Sequence, residues 1–371
     1  MPAKVFRAWT LVAVGQPPRF VLEERRAPVP HPQGVLVEIE SAVVLSYMNK
    51  VLDGSIGYAT PPLPFVPGTN AIGRVVAIGA EVSHVAIGDR VFLSPHFIAD
   101  EPALEPPQIL IGLTATGTAR FGGVAEGSRK LQHIWRDGVL AEMAHWPASC
   151  TTPLRGLDHI PAERLIALAK LVVPYGGLLR GGMEPGQTII VNGATGYFGS
   201  GGVMLAAALG ASKVLALGRG RAGLARLASA LAPRVVPVAV TGDHDSDVAA
   251  IQTAAGGKAD LALDLVGQAA STTTTLAALR SLRRGGRLVL MGSASVPLPV
   301  SFGDMLSNNW EVVGNFMYPK TAPGKLAALI AAGLLDLSPI RVRSLAFSQL
   351  PDAIQAAVRM RDLDLTAVVR D

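Results

Sequence analysis

Residues 187–202 read QTIIVNGATGYFGSGG, and no other stretch restricts the fold as strongly. A β-branched run over residues 188–191 suits a buried parallel strand, and at Asn192 it gives way to glycines at 193, 196 and 199. The spacing predicts strand, tight turn, helix. Glycine suits such a turn because the backbone must bend sharply and let a pyrophosphate approach the N–H groups of the next helix. Gly199 would let that helix lie close to the strand. The spacing is GxxGxxG, not GxGxxG, so the motif alone is a weak signal and a glycine-rich turn in an ordinary α/β protein is the plain alternative. Its context adds weight. Residues 202–209 are small and apolar, residues 213–217 read as a second strand, and Arg219 stands about where a ribose-reading residue is expected.

The chain has 371 residues, enough for two domains, and with 49% hydrophobic and 16% charged residues it reads as compact and globular. A net charge of +5 comes from scattered arginines, which speaks against a nucleic-acid surface. The single cysteine, Cys150, excludes an internal disulfide and a zinc site of several thiolates. No signal-peptide pattern opens the sequence, and no apolar run reaches the roughly 20 residues of a membrane span. The expected location is the cytoplasm, without a membrane partner.

Residues 5–40 are strand-like, punctuated by Pro28, Pro30 and Pro32. Further on come PGTNAIGRVVAIGAEV and IGDRVF, then the glycine motif, then LRRGGRLVLMGS. Together and in this order they resemble the medium-chain dehydrogenase/reductase superfamily, over nearly the whole chain. The resemblance implies an α/β fold: a Rossmann doubly wound parallel sheet plus a β-rich chaperonin-10-like catalytic domain. The implied division is residues 1–155 for the catalytic domain, 156–338 for the dinucleotide domain, and 339–371 for a return to the first. Local patterns agree, with a helix-like stretch over residues 161–179 and strands near 213–217, 260–266, 286–291 and 311–316. From residue 340 the chain reads as a strand, a turn and a final amphipathic helix. Residues 94–136 are the least regular; residues 108–135 are read either as a loop with a short helix over the cleft mouth or as a surface insertion.

Catalytic zinc in this superfamily needs a thiolate, an imidazole and a third ligand around an open position. At the matching positions this chain has Ser46 and Gly68-Thr69-Asn70, and residues 165–173 offer only Lys170. The four-cysteine structural lobe of zinc-containing relatives is also missing. The resemblance is therefore closest to the zinc-independent branch of quinone oxidoreductases and enoyl reductases, and no metal is expected. That branch often reads Ala-Xaa-Gly-Gly-Val-Gly, from which Thr195, Tyr197 and Phe198 depart.

The resemblance places Ser46, Tyr47, Asn49, Tyr58 and Asn70 on cleft-lining stretches. Tyr47 is the favoured hydrogen-bond and proton donor, with a packing role as its alternative; Asn49 or Asn70 would orient substrate or ribose. The cofactor would lie against Asn192, Gly193, Ala194, Thr195, Gly196, Tyr197, Phe198 and Gly199, then Gly218 and Arg219, then Val266 and Gly267. Gly292, Ser293 and Asn315 occupy the places where relatives hold the nicotinamide half. Asp264 is read as a backbone-bonded turn residue, Lys170 as a snorkelling surface lysine, His96 as a surface histidine in preference to a cleft one, and Cys150 as structural. Where relatives bind NAD they carry a carboxylate after the second strand. Here that point reads Leu217-Gly218-Arg219, and a guanidinium can hold a 2′-phosphate, so NADPH is expected.

These readings lead to a zinc-independent NADPH-dependent oxidoreductase passing hydride to a quinone, an α,β-unsaturated carbonyl or a related carbonyl. The rivals are an NADP-binding protein without redox turnover and a non-redox enzyme on the same fold. Residues 295–300, with the apolar run at 310–313, resemble the sheet edge through which relatives pair as homodimers.

Overall fold

In the computed structural model, residues 4–115 and 124–371 are described. Six parallel strands form one sheet in the spatial order Val235–Ala239, Lys213–Gly218, Thr188–Asn192, Ala259–Asp264, Leu282–Leu290, Glu311–Gly314. In chain order this is 3-2-1-4-5-6, the doubly wound arrangement. Its order reverses between Thr188–Asn192 and Ala259–Asp264, and beyond the carboxyl ends of two such strands is where open α/β sheets bind ligands. Alternation along the strands buries both faces. Ile189 and Val191 join the large core shared with the β-rich part, while Ile190 packs with Leu215, Leu217 and Leu288 on the opposite side.

The strand Val235–Ala239 escapes the sequence reading because Pro237 interrupts it. It lies at the sheet edge, where the missing N–H costs no ladder bond. The helix-like stretch before the glycine motif is two helices, Ala162–Leu165 and Leu168–Gly181, the second closed by Gly182 at φ +65°.

The second large sheet is built on Gly34–Val44, which pairs antiparallel with Ala71–Ile78 and with Asp364–Val369. That last strand follows the helix Leu350–Val358 and was not read from the sequence. Thr366 lies opposite Val44 and Val369 opposite Ser41, so the end of the chain is stitched into the sheet of its beginning. Residues 94–136 include a small antiparallel sheet (His96–Ile98, Gln108–Leu110, Thr114–Ala115) and the helix Glu126–Ile134. The part of the expected cleft-mouth loop at residues 116–123 lies outside the described residues. Gln132 of that helix donates to the Ala59 carbonyl at 2.8 Å, tying it to the loop that carries Tyr58.

Candidate functional site

The glycine turn has the geometry its spacing suggested. Gly193 sits at φ +80°, and the chain then enters the helix Tyr197–Ala208 with Gly196 at its N-cap. A Cβ on Gly199 would lie 2.0 Å from the Gly193 carbonyl oxygen, and one on Gly292 would lie 2.4 Å from that of Val266. Both glycines are set by backbone-to-backbone approach. The Ala194 N–H donates to Leu217 O at 2.9 Å, joining the turn to the second strand. Beyond that strand's Gly218, Arg219 is exposed and no carboxylate stands at the strand end. The unblocked N–H groups of the first helical turn fit a pyrophosphate, so the residues present suit a nicotinamide dinucleotide.

The other residues expected at the cofactor lie at these strand ends or beyond them. Asn192 is buried and its Nδ2 donates to Thr274 Oγ1 at 3.2 Å, so its side chain turns inward beneath the turn. Asp264 accepts from the Val266 N–H at 2.9 Å and from the Thr275 hydroxyl; burial lifts its pKa against these donors. The Ser293 N–H donates to Val266 O at 2.9 Å, and its hydroxyl accepts from the Gln268 N–H at 2.8 Å, which closes the loop containing Gly267. Asn315 Nδ2 donates to Met317 O at 2.9 Å, bracing a left-handed turn with Met317 at φ +59°. Phe198 packs edge-on to Tyr197 at 4.8 Å.

On the opposite wall, Tyr47 caps the short helix Met48–Leu52. Its half-buried ring meets Tyr58 edge-on at 6.4 Å. Burial, with smaller pushes from Tyr58 and Tyr197, raises its pKa well above the usual phenol value, so Tyr47 is held as a proton-bearing donor. Lys50 Nζ donates to Gln268 Oε1 at 2.8 Å, linking this helix to the loop after Ala259–Asp264. Asn49 is not brought to Tyr47. It lines an outward groove of about 430 Å³ with Trp9, Phe20, Asp53 and Pro351. Two residues along a helix turn about 200°, which sends the two side chains to opposite sides.

A second polar group joins the two halves. Thr69 Oγ1, Ser94 Oγ and Tyr318 OH are all buried without a hydrogen-bond partner among the described residues. Asn70 Nδ2 donates to Leu93 O at 3.1 Å. Burial raises the Tyr318 pKa, while the Ser94 and Asn70 side chains, close to its hydroxyl without closing a hydrogen bond of ordinary geometry, pull it down. Tyr318 escaped the sequence reading. Gly176 is the signal that could have found it, since a Cβ there would lie 2.3 Å from Met317 O and 2.7 Å from Tyr318 Cβ.

Two readings are corrected by burial. Lys170 is fully buried rather than snorkelling, with its Nζ 2.6 Å from Tyr197 O. His96 is buried too: its Nε2 pairs with Gln108 Oε1 at 2.8 Å, its ring meets Phe316 edge-on at 5.5 Å, and burial lowers its pKa. The Cys150 thiol donates to His96 O at 3.2 Å, and burial pushes its pKa up to about 12, so it is no thiolate ligand. Among the described residues no three of His, Cys, Asp or Glu converge as metal donors. Ser46, Thr69 and Asn70 offer hydroxyls and an amide, a donor set that does not fit zinc.

Residues 31–156 match the alcohol dehydrogenase GroES-like domain, and residues 198–332 match the family described as zinc-binding dehydrogenase. A sorbitol dehydrogenase of Bacillus subtilis is 24% identical over 350 residues, 92% of each chain. A quinone oxidoreductase-like protein of Nematostella vectensis is 29% identical over 165 residues, 43% of this chain and 33% of its own. A solved structure from Sinorhizobium meliloti 1021, bound to NADP, superposes with a TM-score of 0.75 at 21% identity and covers 99% of both chains. At that identity the likeness concerns the fold.

Proposed function

We infer, from the premise that this chain belongs to the medium-chain dehydrogenase/reductase superfamily, that it is an oxidoreductase of that type using NADPH and no zinc. The observation that carries the metal-free reading is the donor set: Ser46, Thr69 and Asn70 where relatives of the family place ligands, and no converging metal donors among the described residues. Bound NADPH would supply hydride. Arg219 would hold the 2′-phosphate and the turn at residues 193–199 the pyrophosphate.

Reduction of a simple carbonyl without a metal forgoes several kcal/mol of alkoxide stabilisation. An enone or quinone spreads the incoming charge, so one or two neutral donors suffice. Tyr47, kept protonated by burial, is the proposed proton donor; Tyr318 and Asn70 form the second polar contact. Asn49 drops out of the substrate wall, because it faces the outer groove.

A second reading has its own support. The sorbitol dehydrogenase likeness spans 92% of the chain and the quinone oxidoreductase-like one 43%, which favours a polyol and its ketose as substrate pair. Steady-state rates separate the two. NADPH oxidation with an enone or quinone should exceed NADP reduction with sorbitol-like polyols, with or without added zinc. Faster polyol turnover that appears only with zinc overturns the metal-free reading. NADPH binding without turnover on either panel would favour a binding protein.

The domain division at residues 1–155, 156–338 and 339–371 belongs to the same proposal. It is supported by the pairing of Asp364–Val369 with Gly34–Val44. So does a homodimer. Phe302 and Leu306, one helical turn apart and 84% and 69% exposed, precede the edge strand Glu311–Gly314 and form an apolar surface suited to a second copy.

A further inference from the structure

We propose that Lys170 is a positioning residue for the pyrophosphate end of the cofactor site: a buried amine whose ammonium form fixes the start of the helix Tyr197–Ala208 and is favoured when an anion docks there. The proposal rests on the reading of residues 192–199 as the dinucleotide turn and adds a residue that no motif contains.

The ammonium is enclosed on every side. Lys170 has no exposed surface, and its Nζ donates to Tyr197 O at 2.6 Å, Asp362 O at 2.9 Å and Asp364 O at 3.4 Å. It also lies 4.4 Å from the centre of the Tyr197 ring. All its donors go to neutral carbonyls. The nearby carboxylates are directed elsewhere: Asp362 binds Arg226 through two nitrogens at 2.7 and 3.1 Å, and Asp364 binds Arg341 at 2.8 Å. Burial therefore dominates and lowers the Lys170 pKa to about 7. Asp364 and Asp362 pull it up, and Arg341 pushes it further down. Burial thus works against the ammonium form that the three carbonyl acceptors select.

Its position links three parts of the chain. Tyr197 is the first residue of the helix that follows the glycine turn, so its carbonyl is held by Lys170 while no side chain caps the helix start. Ser200 adds a clasp, its single hydroxyl hydrogen within reach of Asp362 O and, at 3.0 Å, of Gly196 O. Asp362, at φ +47°, turns the C-terminal segment into this place. A pyrophosphate above the helix start would favour the charged lysine beneath it. By linkage, the charged lysine would then favour the pyrophosphate equally. The sign follows directly. Binding should take up protons above about pH 7, and affinity should fall as pH rises, at most about tenfold per pH unit.

The test is calorimetric titration of NADPH from about pH 6.5 to 8.5 in buffers of different ionisation enthalpy, on wild type, Lys170→Met and Lys170→Arg. The 2′-phosphate titrates in this range in all three proteins and cancels in the differences. Wild type should take up more protons than either variant and lose affinity several-fold across the range relative to Lys170→Arg, which stays charged. Equal proton uptake and equal pH slopes in wild type and Lys170→Arg overturn the proposal, and that comparison stands if Lys170→Met does not fold. Absence of NADPH binding to wild type would overturn the cofactor reading beneath it.

Discussion

Alanine at Gly199 and at Gly196 should separate the two tasks of the glycine turn. At Gly199 the added Cβ lies 2.0 Å from Gly193 O, 2.7 Å from Gly193 C and 3.0 Å from Ala194 Cα, all backbone atoms. The closest approach is roughly 1 Å short of a tolerable carbon–oxygen contact, so the helix must move off the strand. Overpacking of this kind costs about 1–3 kcal/mol, which in a domain of this size lowers Tm by about 2–12 °C. At Gly196 the backbone is ordinary, φ −74°, and the nearest atom to an added Cβ is Gly193 O at 3.1 Å. The backbone need give only a few tenths of an ångström, so the loss should be smaller than at Gly199, about 1 kcal/mol or less. The methyl group would instead stand where the phosphates approach, and NADPH affinity should fall about tenfold or more. Thermal melts without ligand and fluorescence titration of NADPH measure the two effects independently. A Gly199→Ala protein that melts with wild type would refute the close-packing argument, and wild-type affinity in Gly196→Ala would refute the phosphate assignment.

Arg219→Ala should lower NADPH affinity by about 1.5–3 kcal/mol while leaving NADH nearly unchanged; an unaltered ratio of the two in parallel titrations removes Arg219 from the 2′-phosphate. Purified protein should carry no stoichiometric zinc, and chelators should not slow turnover; about one zinc per chain by elemental analysis contradicts the donor-set argument. Tyr47→Phe should reduce kcat for an enone by about 10²-fold or more with KM little changed, and a rate equal to wild type returns Tyr47 to packing. His145, half-buried against Trp135 at 4.9 Å, has its pKa lowered by burial to about 4. Its neutral form is the one that folds, so stability should drop as pH falls from about 6.5 toward 4, by roughly 1–2 kcal/mol after solvent screening. Chemical denaturation across that range should show the acid-side slope shrinking in His145→Gln.

The glycine turn, most parallel strands and the absence of thiolate ligands were legible in the sequence because each depends on neighbours in the chain. A left-handed Gly193 and a close-packed Gly199 leave a spacing, alternating apolar residues leave a period of two, and a missing cysteine is missing in any fold. Pro237 shows the limit of such rules, since a proline that argues against a central strand is harmless at an edge, and edge position is a property of the sheet. The placement of individual side chains was decided only by tertiary structure. Asn49 and Tyr47 are two residues apart, yet the helix turns one toward the outer groove. Tyr318 reaches the polar group because Gly176, about 140 residues earlier, leaves room for its backbone. Lys170 looked like a surface lysine on an apolar helix. It is buried because the chain returns at Asp362 and Asp364 and supplies two of the three carbonyls that accept its hydrogen bonds, and whether a charge is solvated depends on contacts that no local pattern records.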